Sequence, residues 1–361
     1  MLKLEARPQP SKLMSLLSPL LALALTAIIA ALLFLALGKD PVRGLAMFFV
    51  EPFSSMRQIS EVVLKATPLI IIALGLAVCY RSNVWNIGAE GQFLLGVLSG
   101  GGVALWLTTS GIVLPKIVAV PLVLGVSVLG GMAWAGLTAL LRDKFNASEI
   151  LVSLMLVYVA QQLVNYMVFG PWKDPAGFNF PQTKNFDAST WLPNLVSGTR
   201  MHVGSLVALG LVALTWVFMF RLFRGYQLQV GGLAPAAARY AGFSASTSLW
   251  TALLISGGLA GLAGGIEAAA TFKQITPHVS TGLGFTAIIV CFVGRLHPVG
   301  IIFAGLLLST MIIGGELGQS RLGLPNALTG VFQGLLLLVL LACDTLIHYR
   351  VRLRSALAGA H

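Results

Sequence analysis

The sequence predicts an all-α, polytopic membrane bundle of about ten helices, some of them discontinuous. Three observations carry that expectation. Of the 361 residues, 57% are hydrophobic and only 10% are charged, with a mean hydropathy of +0.89. An ordinary soluble domain carries about 25% charged residues, so this composition excludes a secreted, nuclear or cytosolic globular protein. Charge-free apolar runs long enough for a roughly 30 Å hydrocarbon core recur along the chain. Lys and Arg cluster between those runs, where they act as orientation signals.

At the N-terminus, Lys3, Arg7 and Lys12 precede an uncharged run over 13–38. A signal-peptide core is roughly 7–15 residues, so this longer run reads as a first membrane helix that stays. The run 66–80 reaches spanning length if its entry turn takes in 62–65. Further runs occupy 91–115, 117–141, 150–172, 201–220, 240–266, 274–294, 296–315 and 322–343. An even number of spans puts Lys3, Arg7 and Lys12, the loop residues Arg142, Lys144, Arg221, Arg224 and Arg239, and the C-terminal Arg350, Arg352 and Arg354 on one side. The positive-inside rule makes that side the cytoplasm, with both termini in it. The opposite loops, 39–60 and 170–201, are then external, and the second is long enough for a folded cap or docking surface, or else a passive lid over helix ends. Within 256–266, Gly257, Gly261 and Gly265 repeat every fourth residue, as do Gly96 and Gly100. Small residues on one face let backbones approach closely in lipid, so these predict helix packing.

Several chemistries lack residues to support them. GxxxxGK[ST] is absent, so the chain has no P-loop of its own. The GxGxxA match at Gly282, Gly284 and Ala287 enters a membrane run rather than a βαβ unit. GxSxG, HExxH and CxxC are missing, and the five histidines stand apart, which leaves no enzyme and no metal site. Cys79, Cys291 and Cys343 read as small core residues. The net charge of +11 forms no basic stripe with interleaved aromatics, so nucleic acid is not expected as a partner.

Four features remain. The polar break at 83–92 contains Asn86, Glu90 and Gln92, which either shape a translocation path or form an interfacial turn with Glu90 capping the next helix. Tyr158, Gln161, Gln162, Asn165 and Tyr166 fall at i, i+3, i+4, i+7 and i+8, a neutral polar stripe on an apolar helix. It either lines a path for an uncharged, hydroxyl-bearing solute or glues helices together. Pro235 to Gly242 places Pro at a helix N1 and Gly at its C′, a two-turn cytoplasmic helix. The segment 281–300 offers about ten apolar residues between Gly284 and Arg295, too few to cross alone, as in discontinuous transporter helices.

These segments resemble the permease subunits of bacterial ABC importers for branched-chain amino acids, ribose-type sugars and nucleosides. The resemblance rests on NIGAEGQ at 86–92, NASEILVSLML at 146–156, GYQLQVGGLAPAAARYAGF at 225–243 and GLGFTAIIVCFVGRLHPVG at 282–300. Pro181 to Thr183 and Gly198 to His202 place it nearest the nucleoside branch. The Val-Gly-Gly-Leu-Ala-Pro of 230–235 departs from the family's usual Val-Gly-Leu-Asn-Pro. The resemblance implies a type II-like importer fold in the inner membrane, with no enzymatic activity on this chain. It implies a second related permease, two ATP-binding subunits carrying ATP and Mg, and an extracytoplasmic solute-binding lipoprotein, all amid membrane lipids. It further implies that Pro235, Ala237, Arg239, Tyr240 and Gly242 form the helix that couples to the ATPase. The solute expected is a nucleoside, with ribose or another simple sugar as the alternative and a self-sufficient secondary transporter as the alternative class. One domain over 1–361 is expected, its span order permitting inverted repeats at 59–169 and 249–347.

Overall fold

The computed structural model describes residues 2–7, 11–325 and 327–353. In chain order the elements are β1 (Leu2–Ala6), α1 (Lys12–Ala36), α2 (Pro41–Phe49), α3 (Met56–Arg81), α4 (Ala89–Thr109), α5 (Lys116–Phe145) and α6 (Glu149–Phe169). They continue with α7 (Gly204–Arg221), α8 (Phe223–Leu233), α9 (Pro235–Tyr240), α10 (Ala245–Ile266), α11 (Leu283–Val293), α12 (Pro298–Leu322), α13 (Ala327–His348) and β2 (Tyr349–Leu353). The helical bundle expected from composition is therefore present. Strands β1 and β2 pair antiparallel as a short ribbon beside it. Arg354 of the orientation argument and His361, one of the five histidines, lie outside the described residues.

Nine helices among the described residues are long and apolar enough to cross a membrane, one fewer than expected. The run 274–294 makes the difference. Its first part is not helical, and α11 is only 11 residues long. At 1.5 Å per residue it covers about half the hydrocarbon thickness. The 39–60 stretch is also corrected from external loop to mostly helix. Asp40 accepts the Val42 N–H at 2.9 Å and Pro41 occupies N1, which together start α2, and Met47 and Phe48 are buried. Arg57, Glu61 and Lys65 lie within α3 rather than ending it.

The chain divides into two compact units, Met1–Ser55 with Thr310–His361, and Met56–Ser309. In the first, α1 packs along α13, and Phe34, Phe48 and Phe332 meet in tilted and edge-on pairs with centroids 5.1–6.0 Å apart. The second is built on α4, α5 and α10, whose backbones nearly touch. A methyl group added at Gly131 would strike the Gly257 carbonyl and the Gly261 backbone. One at Gly96 would strike Gly261, and one at Gly264 the Phe93 carbonyl. The repeat read as packing is the place where three helices close on one another.

Candidate functional site

The break between α3 and α4 is held by an interlocked pair of amides. Asn86 Nδ2 donates to Gln92 Oε1 at 2.9 Å, and Gln92 Nε2 donates back to Asn86 Oδ1 at 3.1 Å. Asn86 also donates to Ser256 Oγ of α10 at 2.9 Å and accepts the Gly88 N–H at 3.0 Å. Tyr80 Oη donates to the Asn86 carbonyl at 3.1 Å, and the Ile87 N–H donates to Ser153 Oγ of α6 at 3.2 Å. A non-helical stretch facing Ser256, midway along α10, is tolerated because protein groups satisfy its backbone.

Glu90 is 5% exposed and caps a helix, though not its own. Its Oε1 accepts the Ser280 hydroxyl at 2.5 Å and its Oε2 accepts the Gly284 N–H at 2.6 Å. Gly282, the N-cap residue of α11, has no side chain to do this, and its φ of +87° suits glycine. A carboxylate from α4 therefore sits at the positive end of the half-length helix. Any Cβ at Gly284 would collide with the Glu90 backbone, so glycine there sets the close approach of α11 to α4.

On α6 the polar stripe lies opposite the packed face. Ser153, Val157, Ala160, Val164 and Val168 are buried, whereas Tyr158 is 63% and Tyr166 64% exposed. Gln162 is exposed, and Gln161 and Asn165 are half-buried. Asn165 Nδ2 donates to Gln162 Oε1 at 2.9 Å, and Gln161 Nε2 donates to the Pro277 carbonyl at 3.3 Å. The stripe thus adjoins the non-helical approach to α11 but leaves its phenols and one amide uncovered.

Helix α9 stands clear of the bundle. Tyr240 is 97% exposed, Pro235, Ala237 and Arg239 are exposed, and only Ala238 is buried. Gly242, at φ +79°, ends the helix at the expected C′ position. A cavity of about 570 Å³ separates Pro235, Ala238 and Arg239 from the α5–α6 turn, where Arg142 and Glu149 pair at 3.3 Å. Arg81, which the sequence does not single out, proves to be a hub. It donates to the Leu296 carbonyl at 2.7 Å and to Gln229 Oε1 at 3.2 Å, and Gln229 donates to the Met219 carbonyl at 2.6 Å. That network joins α3, α7, α8 and the tight turn before α12. Ser256, Ser280, Arg81 and Gln229 carry no local signal, because each acts through a partner remote in sequence.

The segment between α6 and α7 is tied down by hydrogen bonds to the chain before α11. Thr183 exchanges backbone and side-chain bonds with Ile275, and Phe186 N–H donates to the Lys273 carbonyl at 2.8 Å. His202 is buried, and its Nδ1 accepts the Gly204 N–H at 3.1 Å. Burial and the nearby Arg200 push its pKa down to about 4.

A multi-pass helical chain with a half-length helix and an interrupted helix beside it has the architecture of a membrane permease. Residues 58–341 match the family described as the permease component of branched-chain amino acid transport systems, and this chain belongs to that family. A glucose ABC transporter permease of Haloferax volcanii is 34% identical over 92% of this chain and 89% of its own length. A guanosine ABC transporter permease of Bacillus subtilis is 29% identical over 91% and 93%. A nucleoside ABC transporter permease of Lactococcus lactis subsp. cremoris is 28% identical over 89% of each chain.

Proposed function

We propose that this chain carries nucleosides inward across the bacterial inner membrane as one half of an ATP-driven pair of permeases, with the 274–294 segment completing an even number of crossings and both termini, joined through β1 and β2, in the cytoplasm. The uncovered, uncharged stripe of α6 carries the reading. Two phenols and an amide left facing hydrocarbon would forfeit hydrogen bonds, whereas facing a second, related permease they line a shared polar path. Amides recognise ribose hydroxyls and base edges, and a phenol ring offers a base a stacking surface. Asn86, Glu90 and Gln92 shape this path from behind, since their polar atoms are engaged within the chain. The guanosine and nucleoside permeases among the relatives support the same solute class.

ATP and Mg2+ bind on two partner ATPases, and α9 is the contact to one of them. Arg239 and Tyr240 are exposed side chains with no packing role, suited to a groove on another protein. An extracytoplasmic binding lipoprotein delivers the solute on the opposite side. A simple sugar is the second reading, favoured by the 34% identity to the glucose permease.

Uptake into proteoliposomes holding the assembled transporter and its binding protein tests the choice. Labelled guanosine, uridine and glucose are offered in turn with ATP inside. ATP-dependent nucleoside uptake supports the proposal, glucose uptake alone installs the second reading, and uptake without ATP rejects the class. The coupling role is tested separately by Ala237→Asp, which would bury an unpaired charge in a docked helix. The expected result is loss of ATPase copurification with the fold intact, and unchanged copurification removes α9 from the mechanism.

A further inference from the structure

We infer that the end of α4 and the segment after α6 form a binding site for the phosphate headgroup of an anionic phospholipid. Gly102, Leu105, Trp106 and Thr109 follow one another at i, i+3, i+4 and i+7 on one face of α4, and they line a cavity of about 500 Å³. Trp172, Lys173 and Lys184 close it from the other side. Gly102 makes room for the Trp172 ring, whose edge would lie 2.8 Å from any Cβ there. The cavity is of the size that holds a small ligand.

Its chemistry selects the ligand. Trp106 lies in the last turn of α4 and Trp172 in the turn that follows α6, the level at which indoles concentrate at membrane–water boundaries. Lys184 is exposed and Lys173 half-buried, and two ammonium groups beside an apolar wall complement a phosphate carried on acyl chains. Lys173 also donates to Asn179, which fixes the ammonium near the turn. Asp174, whose carboxylate accepts the Ala176 N–H at 3.0 Å, offsets only one of the two ammonium charges and leaves these three side chains net positive.

The adjoining turn supports a lipid over a protein occupant. Asp174 N–H donates to the Gln182 carbonyl at 2.8 Å, closing a loop whose tip holds Phe178 at φ +48°. Phe178 is 93% and Phe180 67% exposed. Holding a bulky residue in the left-handed region costs about 1 kcal/mol or more, and exposing two phenyl rings to water costs further. Immersion of the tip among headgroups and upper acyl chains recovers the second cost.

Native mass spectrometry of the assembled transporter, titrated with phosphatidylglycerol or phosphatidylcholine of matched chains, tests the site. Retention of phosphatidylglycerol over phosphatidylcholine is expected, falling about thirtyfold in a Lys173→Gln/Lys184→Gln double variant. Lys173→Arg/Lys184→Arg is expected to retain the lipid, and millimolar inorganic phosphate is expected not to displace it. Phe178→Ser/Phe180→Ser, confined to exposed side chains, is expected to lower retention without altering the fold. Equal retention of the two lipids, or an unchanged double Gln variant, would overturn the inference. So would displacement by inorganic phosphate, or unchanged lipid retention together with lost stimulation by the binding protein, which would assign the surface to a protein partner. The test does not depend on which solute is carried.

Discussion

Two polar patches of this chain look alike in the sequence and differ completely in the structure. Asn86, Glu90 and Gln92 are turned inward, and their side chains hydrogen-bond to one another, to Ser256 of α10 and to Ser280 and Gly284 around α11. Tyr158, Gln162 and Tyr166 are turned outward. A polar group spent inside the chain maintains the architecture, in this case an interrupted helix and the capped start of a half-length one. A polar group left on a free face is available to something else. On the function proposed above, substitutions in the first patch should act on stability and those in the second on transport, and the contrast can be broken by substitution.

The largest effect is expected at Glu90. In Glu90→Ala the Ser280 hydroxyl and the Gly284 N–H lose a charged acceptor, at about 1.5–3 kcal/mol each. Thermal unfolding in detergent should show a loss of at least about 3 kcal/mol, and Glu90→Gln, which keeps one acceptor oxygen, should fall between. A Glu90→Ala variant as stable as the parent would mean that the capped start of α11 does not need its carboxylate.

Acid tests the inward-facing logic on the segment before α7. His202 in the unfolded chain takes up a proton near pH 6.5, while burial holds its folded pKa to about 4. Between those values the unfolded state binds more protons, so stability falls as pH drops through the window and levels off below it, by about 3 kcal/mol in all. His202→Gln should flatten that part of the pH profile, read by hydrogen exchange of 194–206.

Asn86→Ala should cost about 1–3 kcal/mol, because Gln92 and Ser256 keep their polar groups and lose a partner. In contrast, Gln162→Ala should leave stability within about 0.5 kcal/mol and slow uptake two- to tenfold, the value of one neutral hydrogen bond. Cysteines at Tyr158 and Gln162 should react with small water-soluble thiol reagents and be protected by solute. Inertness in every stage of the ATP cycle would assign the stripe to helix association instead.

Much of the fold was legible because its causes are local. Pro235 starts α9 and Gly242 ends it, where capping chemistry places them. The glycine repeat announced close packing, and the length of 281–294 announced a helix too short to cross. The neutral stripe was also visible from its spacing. Its orientation was not, because a helix in lipid is apolar on both its packed and its free sides, so hydrophobicity no longer marks the interior.

The sequence by itself determined a membrane-spanning permease, through composition, run length, helix caps and motifs that act over a few residues. Only the tertiary structure decided what those polar residues do. Asn86 and Ser256 are 170 positions apart, and Glu90 and Gly284 are 194. A carboxylate on one helix that caps another has no signature in its own neighbourhood, because the atoms it satisfies are backbone N–H groups and hydroxyls that every segment offers. Packing of α4, α5 and α10 at glycine-limited distance is what chooses among them.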